Sequence, residues 1–327
     1  LWYCYIITIK KIKNMKILAN DGISDDAIEK LKESGYKVIT DKVNQSDLIS
    51  AVNQNNYEII LVRSATTIRK EVIDSCPNLK LVGRGGVGMD NIDVNYAIEK
   101  GIKVINTPAA SSQSVAELVM ASLFSISRFI HNSAKEMENG DFSKLKKNYS
   151  GGVELRGKTL GIVGFGRIGQ SLASYALSIG MKVVALDIVE RVVNIELIGT
   201  SIEVNVETNL DEFLPKCDYI SIHVPKQSDG SSVINEREFN LMKDGVRLVN
   251  AARGGVINEI DLIKAIDSGK VAAVALDVFE NEPNPNKELL SNPSILTTPH
   301  IGAATLEAQD RIGLELVDLI INEFGTF

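Results

Sequence analysis

The chain has 327 residues, of which 44% are hydrophobic and 24% charged, a composition typical of a globular protein large enough for two domains. Its formal charge of −7 argues against electrostatic binding to nucleic acid or to anionic lipid, because both need a basic surface. The three cysteines lack the spacing of a disulfide framework or a zinc site, which favours a reducing, cytoplasmic setting. No apolar segment reaches about 18 uncharged residues, so no membrane span is predicted.

The first 14 residues differ in character from the rest of the chain. They place an apolar run ahead of basic residues and contain no small-residue cleavage site, unlike a signal peptide. Met15 directly precedes a good strand, KILA. We therefore expect Met15 to be the natural start and residues 1–14 to be an extension that arose from cloning or from an incorrect gene prediction.

From Met15 the chain alternates short β-branched runs with polar-faced helical stretches, the pattern of parallel α/β units. The first series of strands comprises KILA, YKVIT, EIILV, LKLVG and GIKVIN, with helices over about residues 24–34 and 90–100. A second series begins at Thr159 and comprises TLGIVG, KVVAL, YISI, RLVN, VAAVAL and SILTT. These patterns predict an α/β protein with two doubly wound parallel sheets.

Between the two series, residues 111–137 have the length and spacing of a helix but are apolar on nearly every side. Such a helix must be buried on several faces, so it is either a core helix or a subunit contact. The polar stretch 139–152, NGDFSKLKKNYSGG, is predicted to be an exposed loop. A last helix over about residues 303–323 has the option of packing back onto the first domain.

A GxGxxG motif, formed by Gly164, Gly166 and Gly169, follows the strand TLGIV and opens a helix predicted over residues 167–179. In this context the glycines allow a tight turn, and the helix N-terminus offers N–H groups to a pyrophosphate. Asp187 ends the next strand, where an acid can accept hydrogen bonds from an adenosine ribose and would repel a 2′-phosphate. NAD is therefore favoured over NADP. The alternative is a packing turn with Asp187 as a loop cap.

Polar side chains follow the later strands of the second series: Arg253 after RLVN, Asp277 and Glu282 after VAAVAL, and His300 after SILTT. The carboxyl ends of parallel strands share one edge of the sheet, where ligands bind. Hydride transfer from a hydroxy acid needs a base, a cation that holds the carboxylate and a group that orients the base. We predict that His300 is the general acid/base, Glu282 its partner and Arg253 the carboxylate ligand.

Structural roles are the alternatives for these residues. Of the other two histidines, His131 lies on the apolar helix and is a candidate packing residue, and His223 follows YISI and can line the adenine end of the cofactor site. Glu282 could be a solvated loop acid, with Glu280 as its local rival. Arg253 could form a structural ion pair.

The stretches VNAARGG, ALDVFENEP and TPHIGAAT, in this order after a GFGRIG loop, resemble the D-isomer-specific 2-hydroxyacid dehydrogenases over the chain from Met15 onward. The resemblance implies that Arg253, Glu282 and His300 are the catalytic residues. It implies NAD as the cofactor and no metal. The residues implied to bind NAD are Gly164, Gly166, Arg167, Ile168, Gly169, Asp187, His223, Val224, Pro225, Ala251, Ala252, Arg253, Asp277 and His300.

The same resemblance implies a discontinuous architecture. A Rossmann cofactor domain, residues 108–298, would be inserted into a flavodoxin-like catalytic domain made of residues 15–107 and 299–327. It also implies a homodimer with the region 111–137 at the interface.

The stretches LVRSATTI, VGRGGVGMDNID and NTPAASSQSVAEL resemble the branch of the family that acts on 3-phosphoglycerate. Arg63 and Arg84 each lie just past the carboxyl end of a first-series strand, so both can add charge for a phosphate. The predicted reaction is oxidation of 3-phosphoglycerate to 3-phosphohydroxypyruvate, the first step of phosphorylated serine biosynthesis. The predicted substrate-binding residues are Arg63, Ser64, Arg84, Gly86, Val87, Gly88, Asn106, Arg253 and His300.

Two other functions stay open. One is reduction of glyoxylate, hydroxypyruvate or another 2-oxo acid. The other is NAD sensing, as in the corepressors related to this family. The pair Arg63 and Arg84 argues against both, and the lack of extended disordered tails argues against the second. Because the chain ends at Phe327 without the regulatory domains that some members carry, we expect no serine inhibition through such a domain.

Overall fold

The computed structural model describes residues 15–327, so the extension expected over residues 1–14 lies outside the described residues. Within the described part, the strands are β1 (Lys16–Ala19), β2 (Lys37–Ile39), β3 (Ile59–Val62), β4 (Leu81–Arg84), β5 (Lys103–Asn106), β6 (Thr159–Val163), β7 (Lys182–Leu186), β8 (Arg191–Leu197), β9 (Thr200–Glu207), β10 (Tyr219–Ile222), β11 (Val246–Asn250), β12 (Val271–Leu276) and β13 (Ile295–Thr297). The helices are α1 (Asp25–Glu33), α2 (Leu48–Asn55), α3 (Lys70–Ser75), α4 (Val94–Glu99), α5 (Ser112–Arg128), α6 (Ile130–Glu136), α7 (Phe142–Asn148), α8 (Arg167–Ser178), α9 (Leu210–Phe213), α10 (Glu236–Leu241), α11 (Glu259–Asp267), α12 (Lys287–Ser291) and α13 (Leu306–Phe324).

The chain forms two compact units. Of the described residues, the first unit comprises 15–111 together with Thr305–Phe327, and the second comprises Ser112–Ala304. Both boundaries lie a few residues later than those expected from the sequence, so His300 belongs to the second unit. The functions assigned to the two units stay predictions.

The first unit contains a five-stranded sheet in the order β2-β1-β3-β4-β5. All its strand pairs are parallel, which is the flavodoxin-like arrangement. β3 reads IILV and all of its side chains are buried, as expected for a strand in a parallel sheet covered on both faces.

The last helix, α13, closes one face of this sheet. Ile312 and Leu316 lie in the same core as Ala27 of α1. Gly313 makes the helix crossing close, because a Cβ at this position would lie 2.8 Å from the Cβ of Ala27. The C-terminal helix is therefore part of the core of the first unit.

The second unit contains an eight-stranded sheet in the order β13-β12-β11-β10-β6-β7-β9-β8. Apart from β8 the strands are parallel and follow the Rossmann order. The order reverses between β6 and β10, and ligands bind beyond the carboxyl ends of the strands at such a point. β6 leads into the glycine motif and β10 leads into His223, so both flank this position.

The hairpin of β8 and β9 was missing from the prediction. Its strands pair antiparallel at the edge of the sheet. Ile195 and Val204 are buried in the core of the second unit, whereas Val192 is exposed. We expected parallel strands only, and so did not use the two-residue periodicity of RVVNIEL and SIEVNVE.

The prediction of one continuous helix over residues 111–137 was wrong. α5 ends at Arg128, and α6 begins at Ile130 with a bend of 65° between the two helices. Phe129 separates them with a left-handed φ of 55°, a conformation that a right-handed helix does not contain.

The prediction of a loop over residues 139–152 was also wrong, because this stretch contains α7. The Asp141 side chain caps its first turn by accepting a hydrogen bond from the N–H of Lys144. Leu145 is buried on its inner face. The polar composition of the stretch reflects the exposed side of a short helix.

In the described part of the chain, no single helix is long and apolar enough to cross a membrane. The bent pair α5 and α6 passes that test of length and composition only when both helices are taken together.

Candidate active site

The three glycines of the GxGxxG motif have different surroundings. Gly164 has a φ of +91° and lies so close to the carbonyl of His223 that a Cβ would collide with it. A Cβ on Gly169 would collide with the carbonyl of Gly164, so this glycine allows α8 to approach β6 closely. Gly166, the N-cap of α8, faces open space. Gly164 thus allows a tight turn, Gly166 leaves free space at the N-terminus of α8, and Gly169 allows close helix packing. A bound pyrophosphate requires these three features.

Asp187, after β7, points its carboxylate back at this loop. Oδ2 accepts hydrogen bonds from the N–H of Phe165 at 3.2 Å and from Arg191 at 2.9 Å, and Oδ1 accepts one from the N–H of Ile188 at 2.8 Å. Partial burial would raise the pKa of Asp187, but these hydrogen bonds outweigh it and hold the pKa below its ordinary value. The acid is therefore ionised and fixed in place as an acceptor.

Arg191 was missed at the sequence level. It is the first residue of β8, and only the unpredicted hairpin places it beside Asp187. The spacing of four residues between the two was a weak signal, because in a loop it sets no distance between side chains.

His300 and Glu282 form a pair. His300 Nδ1 lies 2.8 Å from Glu282 Oε2, and Glu282 Oε1 accepts a hydrogen bond from the N–H of Phe279 at 3.0 Å. Both side chains of the pair keep more than a third of their surface exposed. Glu280, the alternative acid, does not pair with His300. Its side chain accepts a hydrogen bond from the N–H of Glu259 at the start of α11, and its own N–H donates to the Glu259 side chain.

Asp277 fixes the segment that carries His300. The residue is 4% exposed, and its side chain accepts hydrogen bonds from Thr298 Oγ1 at 2.6 Å and from the N–H groups of Ile301 and Gly302, both at 2.8 Å. His300 itself has a left-handed φ of 54°. Asp277 was predicted to bind the cofactor, whereas the structure shows its carboxylate bonded to the polypeptide on both sides of His300.

Arg253 lies in a turn that is held by the buried Asn250. Asn250 Oδ1 accepts a hydrogen bond from the N–H of Ala252 at 3.1 Å, and its Nδ2 donates to the carbonyl of Arg253 at 2.9 Å. A Cβ on Gly254 would overlap the carbonyl of Phe279. The turn therefore packs directly against the segment that leads to Glu282.

The second unit thus gathers the predicted trio at one edge. β11, β12 and β13 are neighbours in the sheet, and Arg253, Glu282 and His300 follow them in that order. The N–H of Asp277 donates to the carbonyl of Asn250 at 2.9 Å, which ties the Arg253 turn to the His300 segment. The arrangement provides a base, its carboxylate partner and a guanidinium.

His223 has a chemically distinct environment. Nε2 lies 2.8 Å from Ser221 Oγ, and Nδ1 is buried with no hydrogen-bond partner among residues 15–327. Burial lowers the pKa of His223 to about 4. A Cβ on Gly164 would also meet Val224, so His223 and Val224 form the wall opposite the glycine loop, and Pro225 follows them.

In the first unit, Arg63 and Ser64 line a cavity of about 500 Å³. Lys42 and Asp21 line it too and are in direct contact with each other. Asp21 also accepts a hydrogen bond from the N–H of Arg63 at 2.7 Å. Lys42 was missed because it lies on a loop, outside any motif that we used.

Arg84 lies in the first unit at the end of β4, against Gly86. A Cβ on Gly86 would overlap the guanidinium of Arg84 in its present position, and Gly86 has a φ of +137°, a conformation that favours glycine. We expected the N–H of Gly86 to face a substrate, but it donates to Thr107 Oγ1 at 2.7 Å. Val87 and Gly88 have N–H groups with no acceptor among residues 15–327. The side chain of Asn106 bonds the carbonyl of Val87 at 2.7 Å and thus supports this loop.

Comparisons with known proteins identify what this chain resembles. Residues 120–302 match the family described as D-isomer specific 2-hydroxyacid dehydrogenase, NAD binding domain. The chain is 40% identical over 314 residues to a hydroxypyruvate reductase of Thermotoga maritima, covering 95% of this chain and 98% of that protein. It is 39% identical over 310 residues to a D-3-phosphoglycerate dehydrogenase of Archaeoglobus fulgidus, covering 94% of this chain and 57% of that protein.

The chain therefore spans a little over half the length of the D-3-phosphoglycerate dehydrogenase from Archaeoglobus that it matches. Among solved structures, D-lactate dehydrogenase from Aquifex aeolicus, complexed with NAD and lactic acid, is similar with a TM-score of 0.71 and 31% identity. That match covers 93% of this chain and 94% of the Aquifex chain.

Replacing Asp277 by Asn should loosen the segment around His300. An amide has one acceptor oxygen where the carboxylate has two, and a hydrogen bond to a charged group contributes about 1.5–3 kcal/mol. We expect hydrogen exchange at the N–H groups of Ile301 and Gly302 to be at least about tenfold faster in Asp277→Asn. The matched control is Asp244→Asn, because Asp244 is an exposed acid of the same unit. Unchanged protection in Asp277→Asn would contradict this role.

His223 should remain neutral through the neutral pH range. An unfolded histidine takes up a proton near pH 6.5, whereas burial lowers the pKa of folded His223 to about 4. The unfolded state therefore binds more protons between these values, and the free energy of unfolding should fall as the pH decreases from about 6.5 to about 4. An NMR titration of the imidazole should show the low midpoint, and His223→Gln should lose this part of the pH dependence. A midpoint near 6.5 would contradict the prediction.

Proposed function

This chain belongs to the D-isomer specific 2-hydroxyacid dehydrogenase family, and we propose that it oxidises 3-phosphoglycerate to 3-phosphohydroxypyruvate with NAD. In a cell this reaction would open the phosphorylated route to serine. The observation that carries the dehydrogenase part is the contact of 2.8 Å between His300 Nδ1 and Glu282 Oε2.

The His300 ring provides the proton acceptor. Because Glu282 engages Nδ1, Nε2 is the nitrogen that takes the proton from the C2 hydroxyl of the substrate. The carboxylate of Glu282 keeps the tautomer in place and stabilises the imidazolium that forms. In the reverse direction the same ring returns the proton to the carbonyl oxygen.

Arg253 orients the acid. Its planar guanidinium can hold the substrate carboxylate by two hydrogen bonds, which fixes C2 relative to His300. Asn250 and Gly254 are positioning residues for this turn, because the first bonds its main chain and the second leaves room for the neighbouring segment. In the first unit, the N–H groups of Val87 and Gly88 are the proposed donors to a substrate oxygen.

The residues of the second unit fit a dinucleotide. The N-terminus of α8, with Arg167 and Ile168 in its first turn, would hold the pyrophosphate beside Gly166, and Asp187 would bind the adenosine ribose. Neutral His223, with Val224 and Pro225, would line the opposite wall. Bound NAD supplies the acceptor for the hydride that leaves C2.

Cationic side chains of the first unit support a phosphorylated substrate. Arg63 lines one cavity together with Lys42, which pairs with Asp21, and Arg84 lies at the end of a neighbouring strand. An unphosphorylated acid needs no cations beyond the residues that hold its carboxylate. We assign Arg63, Ser64 and Arg84 to the phosphate, with Lys42 as an additional ligand.

A second candidate function is reduction of hydroxypyruvate or glyoxylate. It is favoured by the hydroxypyruvate reductase of Thermotoga maritima, which this chain matches at 40% identity along nearly its whole length. The two candidates share the proposed chemistry at His300 and differ only in whether the substrate carries a phosphate.

The deciding experiment measures NADH oxidation with 3-phosphohydroxypyruvate, hydroxypyruvate and glyoxylate. We expect a kcat/KM at least about tenfold higher for the phosphorylated acid, because charge-assisted hydrogen bonds add binding energy. Arg63→Gln should lower kcat/KM by about 10- to 100-fold for 3-phosphohydroxypyruvate and leave that for hydroxypyruvate within about threefold.

The control for Arg63→Gln is Arg69→Gln, since Arg69 is an exposed arginine of the same unit that pairs with Asp93. His300→Asn should abolish turnover of every acid if His300 is the acid/base. Equal rates with phosphorylated and unphosphorylated acids would assign the enzyme to the second candidate function. Absence of turnover with all three would favour NAD sensing.

We also propose that the chain forms a homodimer through the helices α5, α6 and α7. Phe124, Ile130, Met137 and Phe142 are 42–67% exposed in this region, which is unusual for large apolar side chains so close in sequence. A second copy of the chain would cover them.

Light scattering coupled to size-exclusion chromatography tests the dimer. The wild type should have twice the mass of the chain, and Phe142→Glu should shift the protein towards the monomer because a buried charge is costly at an interface. Ile260→Glu is the control, since Ile260 is equally exposed but lies on α11. A monomeric wild type would reject the proposal.

A further inference from the structure

The adenosine end of the cofactor site contains a cation as well as an acid. Arg191 Nη2 donates to Asp187 Oδ2 at 2.9 Å and to the carbonyl of Phe165 at 3.0 Å, and Nη1 donates to the carbonyl of Val189 at 3.2 Å. An isolated Asp187 would repel a 2′-phosphate, which was our reason to favour NAD over NADP. With Arg191 in contact, the two charges cancel locally and this electrostatic reason fails.

The guanidinium still has donors to offer. It carries five N–H groups, and the hydrogen bonds to Asp187, Phe165 and Val189 use three of them. The remaining two have no acceptor among residues 15–327. They lie on Nε and Nη1, and a phosphate oxygen would accept one of them in a charge-assisted hydrogen bond.

The surroundings leave room for an additional group. The residues that follow Asp187 are open to solvent, with Ile188 93% and Val189 57% exposed. The Arg191 side chain is itself 35% exposed. A 2′-phosphate placed here would remain partly solvated, so its charge need not be buried.

Arg191 is held by the fold and not by the loop alone. It pairs with Val206 in the register of β8 and β9, and Ile195 and Val204 anchor this hairpin in the core of the second unit. The cation therefore stays at the end of β7 whether or not a nucleotide is bound.

From this geometry we propose that Arg191 makes the adenosine end of the site accept a 2′-phosphate, so that the chain binds NADP(H) in addition to NAD(H). The inference rests on the cofactor half of the proposed function and is independent of which acid is the substrate. Arg191 is thus a specificity-determining residue, and Asp187 alone does not set the choice of cofactor.

The test is isothermal titration calorimetry of the intact chain with 5′-ADP and with 2′,5′-ADP, which differ by the 2′-phosphate. The wild type should bind 2′,5′-ADP within about tenfold of 5′-ADP. Arg191→Leu should weaken 2′,5′-ADP at least about tenfold and 5′-ADP by less than about threefold, because only the first ligand loses a charged partner. Titration with NAD and NADP should repeat the pattern.

Arg156→Leu is the matched control, since Arg156 is an exposed arginine of the same unit, on the chain just before β6. It should leave both affinities unchanged. A wild type that prefers 5′-ADP by more than about a hundredfold would overturn the proposal, as would equal losses of both ligands in Arg191→Leu. These measurements need no turnover, so a failure of the proposed acid substrate would not affect them, whereas a wild type that bound neither ligand would overturn the cofactor site itself.

Discussion

One buried carboxylate organises the candidate catalytic edge. Asp277 is nearly inaccessible to water, and removing a carboxyl group from water costs free energy. The three hydrogen bonds that its side chain accepts offset this cost. Those bonds hold the Thr298 side chain before His300 and the main chain after it, and the N–H of Asp277 bonds the carbonyl of Asn250 at the base of the Arg253 turn. The segments that carry the proposed base and the proposed guanidinium are therefore both bonded to Asp277, which follows β12, the strand between β11 and β13.

The cofactor side of the same unit is organised in a comparable way. The loop after β6 packs closely between α8 and the His223 segment, because Gly164 and Gly169 have no Cβ. Asp187, which follows the next strand, accepts a hydrogen bond from the main-chain N–H of Phe165 in this loop. The pair of Asp187 and Arg191 then links this loop to the edge hairpin. Asp187 and Arg191 both form hydrogen bonds with the main chain, so the same contacts fix the positions of their charged groups and of the backbone.

Much of the fold and part of the candidate site could be predicted because their signals are local. Runs of β-branched residues identified the parallel strands, and the strand, glycine loop and helix occur within one short stretch. The positions of His300 and Glu282 after neighbouring strands were enough to expect them close together, and the structure puts them in contact. Lys42 and the engaged N–H of Gly86 were missed, because each depends on a contact between segments distant in sequence. Arg191 was missed because the hairpin that begins with it was not predicted. The left-handed Phe129 was missed for a different reason, since periodicity describes which residues are apolar and not where a helix bends.

Gly166 differs from Gly164 and Gly169 in having free space around it, and this difference matters for mutagenesis. Gly164 and Gly169 are glycines because the folded chain has no room for a Cβ, so their replacement would disturb packing. Gly166 has open space around it and an extended backbone with a φ of −79°, which an alanine can adopt. An alanine methyl group at Gly166 would extend into space that the folded chain leaves empty. If the pyrophosphate of the cofactor occupies that space, Gly166→Ala yields a protein that folds normally and no longer binds the nucleotide.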